Sequence, residues 1–257
     1  MRQTNSVLHK EYLNLLDEAD DARRVSDLKR CYTKLNKAVK LMPYNFEAWY
    51  KKSLIYWVNQ HYISAIRALT FALRCELTEY WRYIINGFIH EILSDIDKAS
   101  DCYKMANHVG DAIGSGMEAF FNLGFISLHL SDFLGGVRHF KAALKMQENF
   151  FEKQKHIYAS NKSHYQFLHY QRRHNSLIAT CHSNIGIAYE SFLDDTKAIE
   201  HTTTAIQKYP FDYTFFKNRL KCHLRMSNFE DAIKDADSSL SLLNLKCVDP
   251  QAHRRSL

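Results

Sequence analysis

A short set of small residues, recurring at fixed places, restricts what this chain can become. With Tyr12, Phe46, Tyr80, Met117, Ala179 and Tyr213 each taken as position 1 of a unit, position 8 holds Ala19, Ser53, Gly87, Gly124 and Gly186, and Leu220 alone is large. Position 20 holds Cys31, Ala65, Ala99, Gly136, Ala198 and Ala232, and position 27 holds Ala38, Ala72, Ala106, Ala143, Ala205 and Ser239. The first three units start 34 residues apart, and so do the last two. A period of this size predicts stacked units that together bury one continuous core. Each small residue marks a place where two helices come close.

Within a unit the apolar residues fall at helical rather than alternating spacing. Trp49, Ser53, Tyr56 and Trp57 share one face of a first helix, and Ala65, Leu69 and Ala72 share one face of a second. Between the helices lie short polar residues suited to cap the second one: Ser26-Asp27, Ser94-Asp95, Ser131-Asp132, Asp194 and Ser227-Asn228. Gln60-His61 is the exception, and Pro43 and Pro210 mark the ends of second helices. With 3 Pro and 8 Gly in 257 residues, long helices are favoured over many turns.

This frame resembles the tetratricopeptide repeat (TPR), whose pattern has aromatic or Leu at 4, Leu at 7, a small residue at 8, Tyr at 11, Ala at 20, an aromatic at 24, Ala at 27 and Pro at 32. The match runs through Trp49, Ser53, Tyr56, Ala65, Leu69 and Ala72, then Tyr83, Gly87, Ala99, Tyr103 and Ala106, then Phe120, Leu123, Gly124, Phe140 and Ala143, then Ile185, Gly186, Tyr189, Ala198, Ala205 and Pro210. The first unit departs with Glu18 in the Leu slot, and the sixth departs at position 8. The resemblance implies an all-α, right-handed α-solenoid spanning 1–257 as a single array. Its repeats lie near 12–45, 46–79, 80–113, 117–150, 179–212 and 213–246, with an insert at 151–178.

Two interruptions break the register. Gly110, Gly114 and Gly116 accompany a slip of three residues and read as a flexible joint, since the Lys-Ser/Thr ending of a phosphate loop is absent. The insert lacks the small residues, which favours lengthened flanking helices over a degenerate repeat. Around it, Lys153, Lys155, Lys162, Arg172 and Arg173 face Glu152 alone, interleaved with Phe150, Phe151, Tyr158, Tyr165, Phe167 and Tyr170.

Chemistry is sparse. No HExxH, GxSxG, dinucleotide or Walker signature occurs, so the chain reads as a non-enzyme without a cofactor. His164, His169 and His174 are five apart, a spacing that cannot bring three imidazoles to one metal on one helix. Cys31, Cys75, Cys102, Cys181, Cys222 and Cys247 are scattered and read as buried, reduced packing residues. The Asn161-Lys-Ser163 sequon carries no weight without an export signal, and none precedes it. No apolar run reaches the length of a membrane span. These features together point to the cytoplasm, with nuclear or ciliary residence equally compatible.

The resemblance implies function through a concave groove lined by first-helix positions 2, 5, 6, 9 and 13. On this sequence those include Tyr50, Lys51 and Leu54, then Trp81, Ile84, Ile85 and Phe88, then Phe121, Asn122 and Phe125, then Asn184, Ile187, Lys217, Asn218 and Lys221. The expectation is a scaffold or adaptor that holds an extended segment or helix of a protein partner, with apolar anchors on aromatics and Asn side chains on the ligand backbone. A clamp for two carboxylates is disfavoured, because Glu118, Thr180 and Thr214 stand where it needs cations. Replacing Trp81 and Phe88 together is expected to spare the fold and abolish binding. Two alternatives stay open: RNA binding through 149–178, in keeping with a net charge of +6, and a structural subunit that associates with itself or a larger assembly through its terminal units.

Overall fold

The computed structural model describes the backbone of residues 2–24, 27–110, 116–160 and 164–248, and the side chains of 7–23, 27–110, 116–156 and 171–243. Every regular element there is an α-helix, as the spacing predicts. The chain divides into two compact units, Met1–Ala106 and Asn107–Val248. The first holds α1 (Arg2–Arg24), α2 (Leu28–Leu41), α3 (Phe46–Val58), α4 (Tyr62–Leu73), α5 (Glu79–Ile92) and most of α6 (Ile96–Val109). The second holds α7 (Met117–His129), α8 (Phe133–Ser160), α9 (His164–Ser191), α10 (Asp195–Lys208), α11 (Tyr213–Arg225) and α12 (Phe229–Val248). Residues 149–178 are thus mainly the far turns of α8 and the near turns of α9, each 28 residues long.

One turn is used six times to reverse the chain within a pair. The amide at position 16 donates to the carbonyl at position 11: Asp27 to Ala22, His61 to Tyr56, Asp95 to His90, Asp132 to Ser127, Asp194 to Tyr189 and Asn228 to His223, at 2.8–3.0 Å. This closure requires a left-handed residue before it, and Gln60, Ser94, Ser131, Leu193 and Ser227 have φ of 58–62°. The Asp side chains then cap the second helix, accepting from the amides of Arg30, Lys98, Gly135 and Lys197. His61 makes no such bond. Ser26, Gly114 and the Asn161–Ser163 sequon lie outside the described residues.

Small and large residues interlock at positions 8 and 24. A Cβ on Gly87 would sit 2.5 Å from the ring of Tyr103, and one on Gly124 would sit 2.7 Å from the ring of Phe140. Both rings are fully buried. Where position 8 carries a methyl or hydroxyl, as at Ala19 and Ser53, position 24 is the smaller Leu35 or Leu69. The sixth unit inverts the sizes, with Leu220 at 8 and Ala236 at 24. The departure at Leu220 is therefore an exchange of volume across the pair, not a loss of it.

The terminal units also carry an ion pair between positions 7 and 23. Glu18 of α1 bonds Lys34 of α2. In α11 and α12 the signs are reversed: Arg219 holds Asp235 through two bonds of 2.6 and 2.9 Å, and its remaining nitrogen donates to Thr203. Asp235 is 2% exposed. Consecutive units are tied by side chains as well. The Tyr12 hydroxyl donates to Asn45 and accepts from the amide of Ala48, fixing the start of α3 against α1.

Candidate partner-binding site

In the first unit the groove positions lie on α3 and α5, and aromatic rings dominate them. Trp81 packs against Phe46 and Tyr50 at centroid distances of 4.9 and 5.6 Å, and Phe88 meets Tyr50 and Trp57 edge-on at 6.2 and 5.6 Å. Tyr50, Leu54 and Trp81 are half-buried and keep surface to offer a ligand. Ile84, Ile85 and Phe88 do not: they are 0%, 0% and 5% exposed. Ile85 and Phe88 form a core with Leu69 and Ala72 of α4. These three are packing residues, contrary to the expectation that they line the groove. On α5 the apolar side chains at positions 5, 6 and 9 are drawn inward, whereas Trp81 at position 2 keeps part of its surface. Removing Trp81 and Phe88 together would therefore cost stability, so that pair is unsuited to testing binding. Lys51 is engaged by Asp20 of α1 at 2.7 Å.

In the second unit Phe121, Phe125 and Phe140 form a triangle of edge-on rings, 4.9–5.6 Å between centroids. Phe125 remains 41% exposed. Asn122 and Asn218 are half-buried, and the Asn218 amide reaches Ser183 at 3.5 Å. Asn184 is different. It is 7% exposed, and its side-chain nitrogen is itself buried with no acceptor among the described residues, so it is packed inside rather than offered to the groove as expected. A buried donor left unmatched costs about 1–3 kcal/mol. Ile187 is half-buried and Lys217 exposed, while Lys221 and Arg225 share the Glu190 carboxylate at 3.8 and 3.2 Å. Much of the basic charge at this end is thus internally answered.

No family model matches the chain, and neither does any curated protein. Solved structures do. A chain of the APC/C hetero-tetramer Cut9–Hcn1 superposes with a TM-score of 0.58 at 17% identity, covering 91% of this chain and 42% of that one. BtubC (BKLC) from P. vanneervenii gives 0.56 at 15% identity over 94% and 93%. YrrB, described as a TPR protein with an unusual peptide-binding site, gives 0.45 at 14% identity over 87% and 98%. The chain has the tetratricopeptide-repeat fold.

Within the tetratricopeptide-repeat frame, one pair that the sequence did not single out stands out by geometry. His182, on α9 at position 4 of the repeat that starts at Ala179, lies with its Nδ1 3.0 Å from Nδ1 of His201 on α10, and Tyr189 stacks on His201. One imidazole must donate and the other accept, which requires that at least the acceptor stay neutral. Burial, followed by the charges of His201, Lys208 and Lys141, pushes His182 down to about 4. Burial and Lys141 lower His201 against the pull of Glu200. His174, stacked on Phe151 at 3.9 Å, is also pushed down to about 4, by burial and then Lys208. The side chains of His164 and His169 lie outside the described residues.

His174 and His182 take up protons near 6.5 when unfolded but only near 4 when folded. Their contribution to stability is complete above pH 6.5 and is lost as the pH falls from there toward 4. The expected result is a drop in melting temperature across that window, on the order of 1–3 kcal/mol of stability. A His182→Gln/His201→Gln variant should flatten the slope; an unchanged slope would refute the assignment.

Among the described residues no three His, Cys, Asp or Glu side chains gather to hold a metal ion, and no described helix is long and apolar enough to cross a membrane. Burial raises Cys31 to about 11 and Cys181 and Cys222 to about 12, which keeps them as unreactive thiols. Cys75 and Cys102 are also free and shifted upward by burial, and the Cys247 side chain lies outside the described residues.

Proposed function

We propose that this chain is a non-catalytic adaptor that holds a protein segment along its first helices. Tyr50, Leu54 and Trp81 would supply apolar contacts in the first unit. Phe121 and Phe125 would do so in the second, with half-buried Asn122 and Asn218 bonding the ligand backbone. The observation that carries this reading is Phe125, whose ring stays 41% exposed on its first helix while meeting Phe121 and Phe140 edge-on. An apolar ring left open on such a face favours a partner. YrrB, the distant relative in fold described as having a peptide-binding site, is in keeping with this reading without locating a ligand here.

A consequence separates binding from folding. Asn122→Ala removes a half-buried polar side chain, so it should leave the melting temperature nearly unchanged, while weakening partner binding about tenfold, or 1.4 kcal/mol. The test is affinity capture from native lysate with the wild type, Asn122→Ala and Phe125→Ala, at low and high salt and with nuclease. Proteins that survive high salt and are lost with both variants support the groove. Recovery that disappears with salt or nuclease and ignores both variants transfers the function to RNA binding on the α8–α9 extension, where Lys153, Lys155 and Arg173 are exposed.

A further inference from the structure

The internal repeat provides its own standard for what a second helix should bury. At position 28, Val39, Leu73, Leu144 and Ile206 each pack into a core that includes the following first helix: with Ala48 and Ile55, with Ile85 and Phe88, with Cys181 and Ile185, and with Phe215. At position 21, Tyr32, Ile66, Val137 and Ile199 are half-buried or buried. On α12 the equivalent residues are Ile233 and Leu240, and they are 62% and 57% exposed; Phe229, one turn earlier, is 62% exposed. This stripe continues the repeat–repeat interface and stays exposed among the described residues.

The inner interfaces also show what such a face accepts. On three covering helices two small or apolar residues seven apart sit at positions 3 and 10, Ala48 and Ile55, Cys181 and Ala188, Phe215 and Cys222, all 3% exposed or less; α5 has exposed Arg82 at position 3 and half-buried Ile89 at position 10, so only position 10 is apolar or small in all four. The α1 helix of another copy would bring Asn14 and Asp21 to those places, and burying a carboxylate there is costly. End-to-end stacking is therefore disfavoured. Among the exposed large hydrophobic residues described, only one pair lies seven apart on one helix, and it is Ile233 and Leu240 themselves. The stripe has the spacing of its own complement.

We propose that α12 is a self-association face, on which two copies of this chain pair antiparallel about a two-fold axis. Ile233 of one copy then packs by Leu240 of the other. Lys234 and Asp237, exposed on the flank between them, approach the opposite charge across the axis. Such a contact is closed, so association stops at two. The proposal is independent of the groove reading.

Sedimentation velocity over two decades of micromolar concentration tests it. The expected result is a monomer–dimer equilibrium with nothing larger. Ile233→Lys/Leu240→Lys should weaken dimerisation at least tenfold with unchanged circular dichroism, and Val7→Lys/Leu8→Lys on α1 should leave it intact. Should the lysines perturb folding, Ile233→Ser/Leu240→Ser makes the same measurement. A monomer at every concentration, growth beyond dimers, a dimer indifferent to the α12 variants, or loss of the dimer with the α1 variant would each overturn the proposal.

Discussion

Gly124→Leu is expected to remove about 3 kcal/mol of stability, the upper part of the usual cost of overpacking, and to lower the melting temperature by about 6–12 °C. The reason is visible at the first added atom. A Cβ at Gly124 already stands 2.7 Å from Cε1 and Cζ of Phe140. That ring cannot withdraw, because it is fully buried and Phe121 and Phe125 meet it edge-on. Urea denaturation followed by circular dichroism would measure the loss. Phe140→Ala in the Gly124→Leu background should recover part of it, because it recreates the Leu220/Ala236 arrangement of the sixth unit. Strict additivity of the two changes would contradict the interlocking.

Asp235→Ala is expected to cost about 3 kcal/mol, by leaving the Arg219 guanidinium without its acceptor in a largely dry site. Two bonds to Asp235 are lost at once, and Thr203 alone cannot replace them. His223, 8% exposed and 3.9 Å from Asp235, loses the same neighbour. Replacing both partners, with Arg219→Met and Asp235→Leu, should be far milder than either single change, because no charge is then stranded. A double-mutant cycle by chemical denaturation decides the matter. If Asp235→Ala is neutral, the pair is ornamental.

What could be read from the sequence was local. The turns within pairs, the capping carboxylates of Asp27, Asp95, Asp132 and Asp194 and the small slots depend on residues within one helical pair, and those among the described residues appear in place. The groove assignment fared unevenly for a physical reason. An apolar residue at position 5, 6 or 9 carries no mark saying whether it faces a ligand or a neighbouring helix, and Ile84, Ile85 and Phe88 took the second option. Polar residues there are more informative, since an unmatched Asn184 is costly wherever it is buried. The His182–His201 and Arg219–Asp235 pairs join residues 19 and 16 apart on different helices, so neither shows as a motif. A signal did exist for the second: Arg219 occupies a slot that the repeat pattern reserves for Leu, as Glu18 does in the first unit. A charge in a core slot calls for a search one helix away.

The reversed signs of those two terminal pairs bear on how the chain avoids assembling itself wrongly. Repeated units offer similar faces, so a nascent first helix can meet the second helix of a distant unit, a recurrent failure of such proteins. Were α1 to adopt α12 as its mate, Glu18 would confront Asp235. Were α11 to adopt α2, Arg219 would confront Lys34. Each incorrect marriage of the two ends sets like charges together in a confined space. The polarity of a single ion pair thus works as an address, telling each end of the chain which helix is its own.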